Sequence, residues 1–292
     1  MASSSTTTFL KSGYPPMVQE VHAHGLKASI HCLQTGLLAA AQAGVDEFFH
    51  LDGILTDVWP DHPPGWLDVW GLPGFDETLD AQEKEADQIA RFGMTATPTL
   101  AYWRSRWRIH VADCFREEAR YVPPEIVAWQ GGGEKNQQAG DQWCRALEAA
   151  KRLTGLLLKR NVPILPGTDV PFAAVCPGRS LWQELSLLVG SGMCPLRALQ
   201  TATLDAADFL DRPMLGRLAP GAVADFAIVR GDPTARIPED PHLVATVHNG
   251  VIHHPEKLLA QAQKAAGTVT KDPWSAQFRI HSAVCGDPAG SG

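Results

Sequence analysis

The sequence of 292 residues lacks several features that mark membrane, secreted or nucleic-acid-binding proteins. No apolar run approaches the roughly 20 residues that a membrane-spanning helix needs. The net charge is −7, so there is no basic excess to attract nucleic acid or anionic lipid. The start, MASSSTTTF, has neither a basic region nor an apolar core and does not resemble a secretory signal. We therefore expect neither nucleic acid nor membrane as a partner.

Cysteines are few and scattered. The six are Cys32, Cys114, Cys144, Cys176, Cys194 and Cys285. None forms the C-x-x-C pair that is typical of redox or zinc sites. This spacing favours reduced, mostly buried thiols, and so a cytoplasmic compartment.

Histidines are concentrated in the stretch VQEVHAHGLKASIHC, residues 18–32. Many zinc hydrolases begin their metal site with a His-x-His pair, and His22 and His24 form one. Residues at i and i+2 share a face only on a strand, whereas PPMVQEVHAHG has the apolar spacing of a helix opened by two prolines and stopped by Gly25. The pair is therefore predicted to lie at a helix end without binding metal, which directs attention to His31 in the apolar run that follows.

Short apolar runs alternate with helical patterns through most of the chain. The predicted strands are KASIH, VDEFFH, MTATPTLAYW and VPILPGTDV, and between them lie amphipathic or Ala/Leu-rich segments such as GLLAAAQAG. This alternation predicts a parallel α/β architecture. After Arg212 the pattern changes to short strands punctuated by Gly, Pro and Asn-Gly, which predicts a small β element.

The sequence is accordingly divided into four regions. They are an N-terminal remnant or strand-four region (1–13), a (β/α) barrel portion (14–212), a small β-sandwich segment (213–255) and a tail (256–292).

His31, His50 and Asp169 share one feature, because each stands at the end of a predicted strand. The carboxyl ends of parallel strands converge on one face, where chemistry collects. Two imidazoles on adjacent strands can hold zinc, and a carboxylate on a third can be a ligand or a proton acceptor. For any one of these residues alone, a buried, hydrogen-bonded structural role is the simpler interpretation. The occurrence of all three at predicted strand ends favours a functional site.

The same segments resemble a known family. The matching pieces are AGVDEFFH, GTD at residues 167–169, PLRALQTATLDAADFL and the G-x-L-x-P-G-x-x-A-D-F pattern at 216–226. They look like the imidazolonepropionase-like branch of the metal-dependent amidohydrolases, over roughly residues 9–252.

This resemblance implies a (β/α)8 TIM-type barrel beside a small β-sandwich. His31 would end strand five and His50 strand six, both as metal ligands, and Asp169 would end strand eight, contact the metal and shuttle a proton. Lys11, in TTTFLK, is the candidate for the lysine that ends strand four in many relatives.

Only 30 residues precede His31, so the resemblance covers a partial barrel of about strands five to eight with part of the sandwich. The chain is then a real fragment, a divergent short form or the product of a gene read from the wrong start. The expected cofactor is zinc or another divalent ion, with about one site because most ligands of a second are missing.

The implied function is hydrolysis of a carbon–nitrogen bond other than a peptide bond, in a small amide-type or cyclic-amide substrate, by metal-activated water. The alternative is an inactive or truncated fragment that acts as a subunit or needs a partner half-barrel. A homo-oligomer is compatible with either.

Overall fold

The computed structural model describes residues 4–32, 36–63, 67–111, 136–170 and 175–266, without the side chains of residues 4–12, 67, 68, 265 and 266. These residues form a mixed α/β protein with two separate three-stranded sheets.

The first sheet is parallel and has the order β1 (Ser29–Ile30), β2 (Glu47–Phe49), β3 (Thr95–Thr97). A parallel bridge between Ala96 and Ile164 adds the segment that leads to Asp169. The predicted parallel α/β arrangement is therefore confirmed. In the ranges described, this sheet is open and does not close into a barrel.

Helices follow and separate these strands. They are α1 (Ser4–Ala23), α2 (Leu37–Gln42), α3 (Asp52–Val58), α4 (Pro73–Asp76), α5 (Leu79–Phe92), α6 (Leu100–Val111), α7 (Gln137–Lys159), α8 (Arg179–Gly190), α9 (Pro195–Thr201), α10 (Leu204–Phe209) and α11 (Pro255–Ala266), with a 3-10 turn at Leu67–Gly71. Gly25 and Gly44 follow α1 and α2 with positive φ, as expected of residues that stop a helix.

The core lies between the parallel sheet and the helices. Phe48 and Ala96 point from neighbouring strands into it and are almost wholly buried. Trp70 also belongs to it, 4.6 Å from Phe75 and 5.0 Å from Trp103 between ring centroids. Trp70, in the tryptophan-rich segment at 59–70, is thus part of the core.

Three boundaries differ from the sequence prediction. Residues 4–13 belong to α1 rather than to a strand-four region, and Pro15 and Pro16 lie inside this helix instead of opening it. MTATPTLAYW is a strand only as far as Thr97, because α6 begins at Leu100. The described part of the predicted tail, 256–266, is helical, and its remainder lies outside the described residues.

The second sheet is antiparallel and has the order β4 (Phe226–Val229), β5 (Leu243–His248), β6 (Val251–His253). Its register puts Phe226, Val247 and Ile252 in one row across the three strands. Val247 is buried, but Phe226 and Ile252 are 37% and 61% exposed. This apolar face, with Ile228 on the same side, is therefore only partly covered.

We expect the purified chain to self-associate, because exposed apolar surface and unpaired strand edges favour association. Ile252→Ser should shift the size-exclusion profile towards smaller species. Val251→Ser is the matched control, since Val251 is 57% exposed on the opposite face. A sharp monomer peak for the unmodified chain, with cooperative thermal unfolding, would contradict this expectation.

No helix among the described residues is long and apolar enough to cross a membrane. Of the four cysteines in the described ranges, Cys144 and Cys194 are free thiols. Only Cys32 is buried and Cys194 is exposed, so the expectation of mostly buried thiols is wrong for this set.

Candidate functional site

The two predicted metal-binding histidines lie side by side. His31 directly follows β1 and His50 directly follows β2. Because these strands are parallel neighbours, their carboxyl ends meet at one edge of the sheet. The ring centroids of His31 and His50 are 4.3 Å apart. The structure thus brings together the residues that strand-end placement singled out.

A left-handed turn after β2 adds a residue that the sequence analysis missed. His50 and Leu51 both have positive φ, 73° and 74°, and the chain then enters α3 at Asp52. His31 Nε2 lies 2.7 Å from Asp52 Oδ2, and the Asp52 side chain is 95% buried, being 5% exposed. Its other oxygen, Oδ1, is buried without a hydrogen-bond partner.

His50 is held by a hydroxyl from the neighbouring strand end. Its Nδ1 lies 2.7 Å from Oγ1 of Thr99, a buried residue two positions beyond β3 with φ 52°. The ring also meets Tyr102 edge-on at 6.2 Å between centroids. Burial lowers the pKa of His50 to about 4; the His31 charge acts in the same direction and the Asp52 charge opposes it. His50 is therefore a neutral imidazole at neutral pH.

Asp169 lies near the same groups. It is half-buried and, like His50, has a left-handed backbone, with φ 57°. Burial raises the pKa of its carboxyl to about 7; the Asp52 charge raises it further, whereas that of His31 lowers it. Asp169 can therefore exist in both protonation states near neutral pH, as an acid–base group requires.

A polar ladder, buried at Glu47 and Thr97, links the strands that carry these residues. The hydroxyls of Ser29 and Thr97 each donate a hydrogen bond of 2.6 Å to Glu47, one to each carboxylate oxygen. Glu47 stands on the central strand, so its two bonds link β1, β2 and β3. The ladder stabilises the register that sets His31 beside His50.

The donor chemistry at this edge fits a divalent cation. A metal-binding histidine usually donates its other ring N–H to a carboxylate, carbonyl or hydroxyl oxygen. The Asp52 contact at His31 Nε2 leaves Nδ1 for a ligand, and the Thr99 contact at His50 Nδ1 leaves Nε2. The unpartnered Asp52 Oδ1 is a buried polar atom that a nearby cation would stabilise.

The described residues supply only part of a metal site. In this part of the chain, no three His, Cys, Asp or Glu side chains are grouped closely enough to hold an ion. The two imidazoles fit a metal as a pair, and the remaining ligands would come from elsewhere.

His22 and His24 stand at the end of α1, as predicted from their spacing. His22 Nε2 lies 2.8 Å from Asp46 Oδ2, and His24 Nε2 lies 3.0 Å from Glu20 Oε1. Their expected lack of a metal role stays a prediction.

Lys11 lies in α1 and not at a strand end, which corrects the expectation that assigned it to strand four. The segment is continuous with the rest of α1, which runs from Ser4 to Ala23. The Lys11 side chain lies outside the described residues, so its role as a ligand stays a prediction.

Glu184, on α8, is wholly buried and holds the start of α6, the helix that follows Thr99. Its Oε2 accepts a hydrogen bond of 2.6 Å from the backbone N–H of Ala101, in the first turn of α6. α6 follows Thr99 and carries Tyr102, so Glu184 anchors the segment that contacts His50. Burial raises the pKa of Glu184 to about 8, against the opposing effect of the Ala101 and Leu100 N–H groups.

Glu184→Gln should change how stability depends on pH. The folded protein keeps a proton on Glu184 that the unfolded chain releases above its ordinary pKa of 4.5. The free energy of unfolding contributed by this group therefore falls as pH rises from about 4.5 to about 8, at up to about 1.4 kcal/mol per pH unit, and then levels off. Relative to the native chain, the glutamine variant should gain stability progressively over that window in urea unfolding at fixed protein concentration.

Glu239→Gln is the control for this experiment. The hydrogen bond from Arg104 lowers the pKa of Glu239, so this carboxyl is ionised in both folded and unfolded chains between pH 5 and 8. Its replacement should leave the pH slope unchanged there. Equal slopes for Glu184→Gln and the native chain would show that Glu184 is not protonated when folded.

Comparison with known proteins identifies the family of the chain. The sequence profile described as the amidohydrolase family matches residues 1–255. No curated protein matches the chain.

Several solved structures share the fold. A bottromycin amidohydrolase is 23% identical with a TM-score of 0.59, over 86% of this chain and 56% of its own. A Xaa-Pro dipeptidase is 18% identical with a TM-score of 0.55, over 84% and 48%. A putative prolidase from Bifidobacterium longum is 17% identical with a TM-score of 0.53, over 88% and 55%. The chain thus spans about half the length of these proteins, and with the profile matching most of its residues it belongs to the amidohydrolase family.

Proposed function

We propose that this chain carries part of the active site of a metal-dependent hydrolase that cleaves a carbon–nitrogen bond in a small amide-type substrate. One observation supports this most directly. His31 and His50 stand 4.3 Å apart at adjacent parallel strand ends, each with one ring nitrogen engaged by a neighbouring oxygen. Such a pair is built to present two imidazole lone pairs in a fixed orientation.

The proposal includes a correspondence with the barrel of the family. β1, β2, β3 and the Ile164–Asp169 segment would be strands five to eight of a (β/α)8 barrel. Their parallel order along the sheet, with helices between them, supports this numbering. The antiparallel sheet β4–β6 would be the C-terminal share of the small β-sandwich.

Each site residue has a role in this proposal. His31 Nδ1 and His50 Nε2 would hold zinc or another divalent ion. When bound, the ion polarises the substrate carbonyl and lowers the pKa of water. Asp169 accepts the proton of the attacking water and returns it to the leaving nitrogen, so that the C–N bond breaks without expelling an anionic amide. Its pKa near 7 suits both steps, because such a group gains and loses protons readily at neutral pH.

We propose the type of bond that is cleaved and not an individual substrate. A cyclic amide or another C–N bond outside a peptide is our first choice, in keeping with the family resemblance. The structural neighbours include a Xaa-Pro dipeptidase, so an Xaa-Pro amide belongs in any substrate panel. The loops that select substrates vary independently of this fold.

A second candidate function follows from the length of the chain relative to its structural neighbours. Because the chain spans about half the length of its neighbours, it would serve as a subunit that acquires activity with a partner half-barrel. The partly covered face of the β4–β6 sheet is compatible with this role.

The test is to express this chain and a version extended upstream in the coding frame, with added zinc. Both are assayed for metal content and for hydrolysis of cyclic amides, linear amides and Xaa-Pro dipeptides. The first proposal predicts about one zinc in the short chain, with strong hydrolysis by the extended protein. Absence of zinc from both proteins would overturn it. Zinc binding without activity, restored by a separately expressed N-terminal half, would favour the subunit role.

A further inference from the structure

The neutral His31 ring can carry its proton on either nitrogen, so a structural feature must select one of the two tautomers. A third of its side chain is exposed to solvent, at 33%. Burial alone therefore does not choose between the two neutral tautomers. Only one tautomer, with the proton on Nε2, leaves the Nδ1 lone pair available for a cation.

The Asp52 contact supplies that selection. Asp52 Oδ2 lies 2.7 Å from His31 Nε2, and a carboxylate can only accept, so neutral His31 must donate from Nε2. The carboxylate is itself held in place, because it is 5% exposed and stands at the start of α3.

The backbone before Asp52 also indicates a built arrangement. Two consecutive residues without a glycine, His50 and Leu51, adopt the left-handed conformation that L-residues rarely take. This turn lets one short segment carry both the second histidine and the carboxylate that faces the first. Such a conformation persists only where the surrounding structure holds it, and here it places His50 and Asp52 on one short segment.

We propose that Asp52 is a positioning residue, which fixes His31 as the Nε2–H tautomer and so directs its Nδ1 lone pair towards the cation position between the strand ends. The role rests on the proposed function, but the tautomer itself can be measured in the metal-free chain. Asp52 acts through His31 and does not hold the ion in this proposal.

The experiment uses nitrogen-15 NMR of the histidine rings, in the full chain without metal and in a mildly alkaline buffer, where ordinary imidazoles are neutral. In the native chain, His31 should show a protonated Nε2 and an unprotonated Nδ1. Asp52→Ala should produce averaged nitrogen shifts, because solvent then allows both tautomers. Asp52→Asn should keep the native tautomer, since its amide oxygen still accepts, while Nε2–H exchanges faster with solvent because a neutral acceptor bonds more weakly.

A matched control tests whether the loss of any carboxylate beside a histidine changes the His31 spectrum. Glu20→Ala removes the carboxylate 3.0 Å from His24 Nε2, an exposed pair on α1. It should leave the His31 spectrum unchanged.

Zinc affinity is measured on the same variants with zinc alone as the probe. Asp52→Ala should weaken binding roughly 10- to 100-fold, as loss of such a partner commonly does, and Asp52→Asn should weaken it less. A protonated Nδ1 in the native chain, or an unchanged His31 tautomer in Asp52→Ala, would overturn the proposal. If the alanine variant does not fold, an unchanged Nε2–H exchange rate in Asp52→Asn would do so.

The outcomes distinguish this inference from the proposed function. If the native chain binds no zinc but Asp52 controls the tautomer, the positioning role stands and the hydrolase proposal fails. If zinc binds and the tautomer is independent of Asp52, only the positioning role fails.

Discussion

Replacing His31 or His50 by alanine is expected to lower zinc affinity by more than about 100-fold, beyond the 10- to 100-fold loss typical of a supporting residue. Each change removes one of the two imidazoles that the strand ends bring together, 4.3 Å apart between centroids. The described residues offer no further cluster of ligands that could compensate for either loss. Equilibrium competition with a zinc chelator, on protein checked for native circular dichroism, measures the effect.

His22→Ala and His24→Ala are the matched controls, since both remove an imidazole from the same stretch of sequence. Their ring nitrogens face Asp46 and Glu20 at the end of α1, away from the strand ends. Zinc affinity should therefore stay at the native level. A loss in His24→Ala equal to that in His31→Ala would refute the placement of the metal.

The positions of His31 and His50 were predictable because they follow from simple periodicity. A short apolar run, a helix and another apolar run imply parallel neighbours, and parallel neighbours end at one edge. The helical pattern of residues 15–25 likewise predicted that the His-x-His pair lies at the end of a helix, as it does.

Asp52 could not be found in this way, because its importance depends on a turn. Nothing in FFHLDG indicates that two non-glycine residues adopt positive φ and rotate the next side chain back towards β1. The available signal was weaker: a carboxylate stands two residues after a strand-end histidine, in a segment otherwise apolar.

The strand boundaries show where local propensity loses to tertiary context. TLAYW has β-favouring residues, yet α6 begins at Leu100, where the buried Glu184 accepts the Ala101 N–H at the helix start. Similarly, TTTF suggested a strand, but residues 4–13 join α1. In both cases the sequence pattern was compatible with two structures, and neighbouring elements decide between them.

Asp169→Asn, in the upstream-extended protein, should reduce hydrolysis by about 10²- to 10⁴-fold, the range for loss of an acid–base group. The amide keeps the size of the carboxyl and tolerates the left-handed backbone at φ 57°, but it cannot accept the proton of water. Zinc content should stay largely native, because the proposed ligands His31 and His50 are untouched. The short chain should show little or no hydrolysis with either residue.

Asp211→Asn is the matched control, because Asp211 has a similar backbone, with φ 53°, at an exposed position after α10. This change should leave both turnover and zinc unaffected, which separates the acid–base role from any effect of the substitution itself. The measurement is single-turnover hydrolysis with zinc quantified in the same sample. Strong activity that survives Asp169→Asn would assign proton transfer to another residue, whereas parallel loss of zinc and activity would make Asp169 chiefly a ligand.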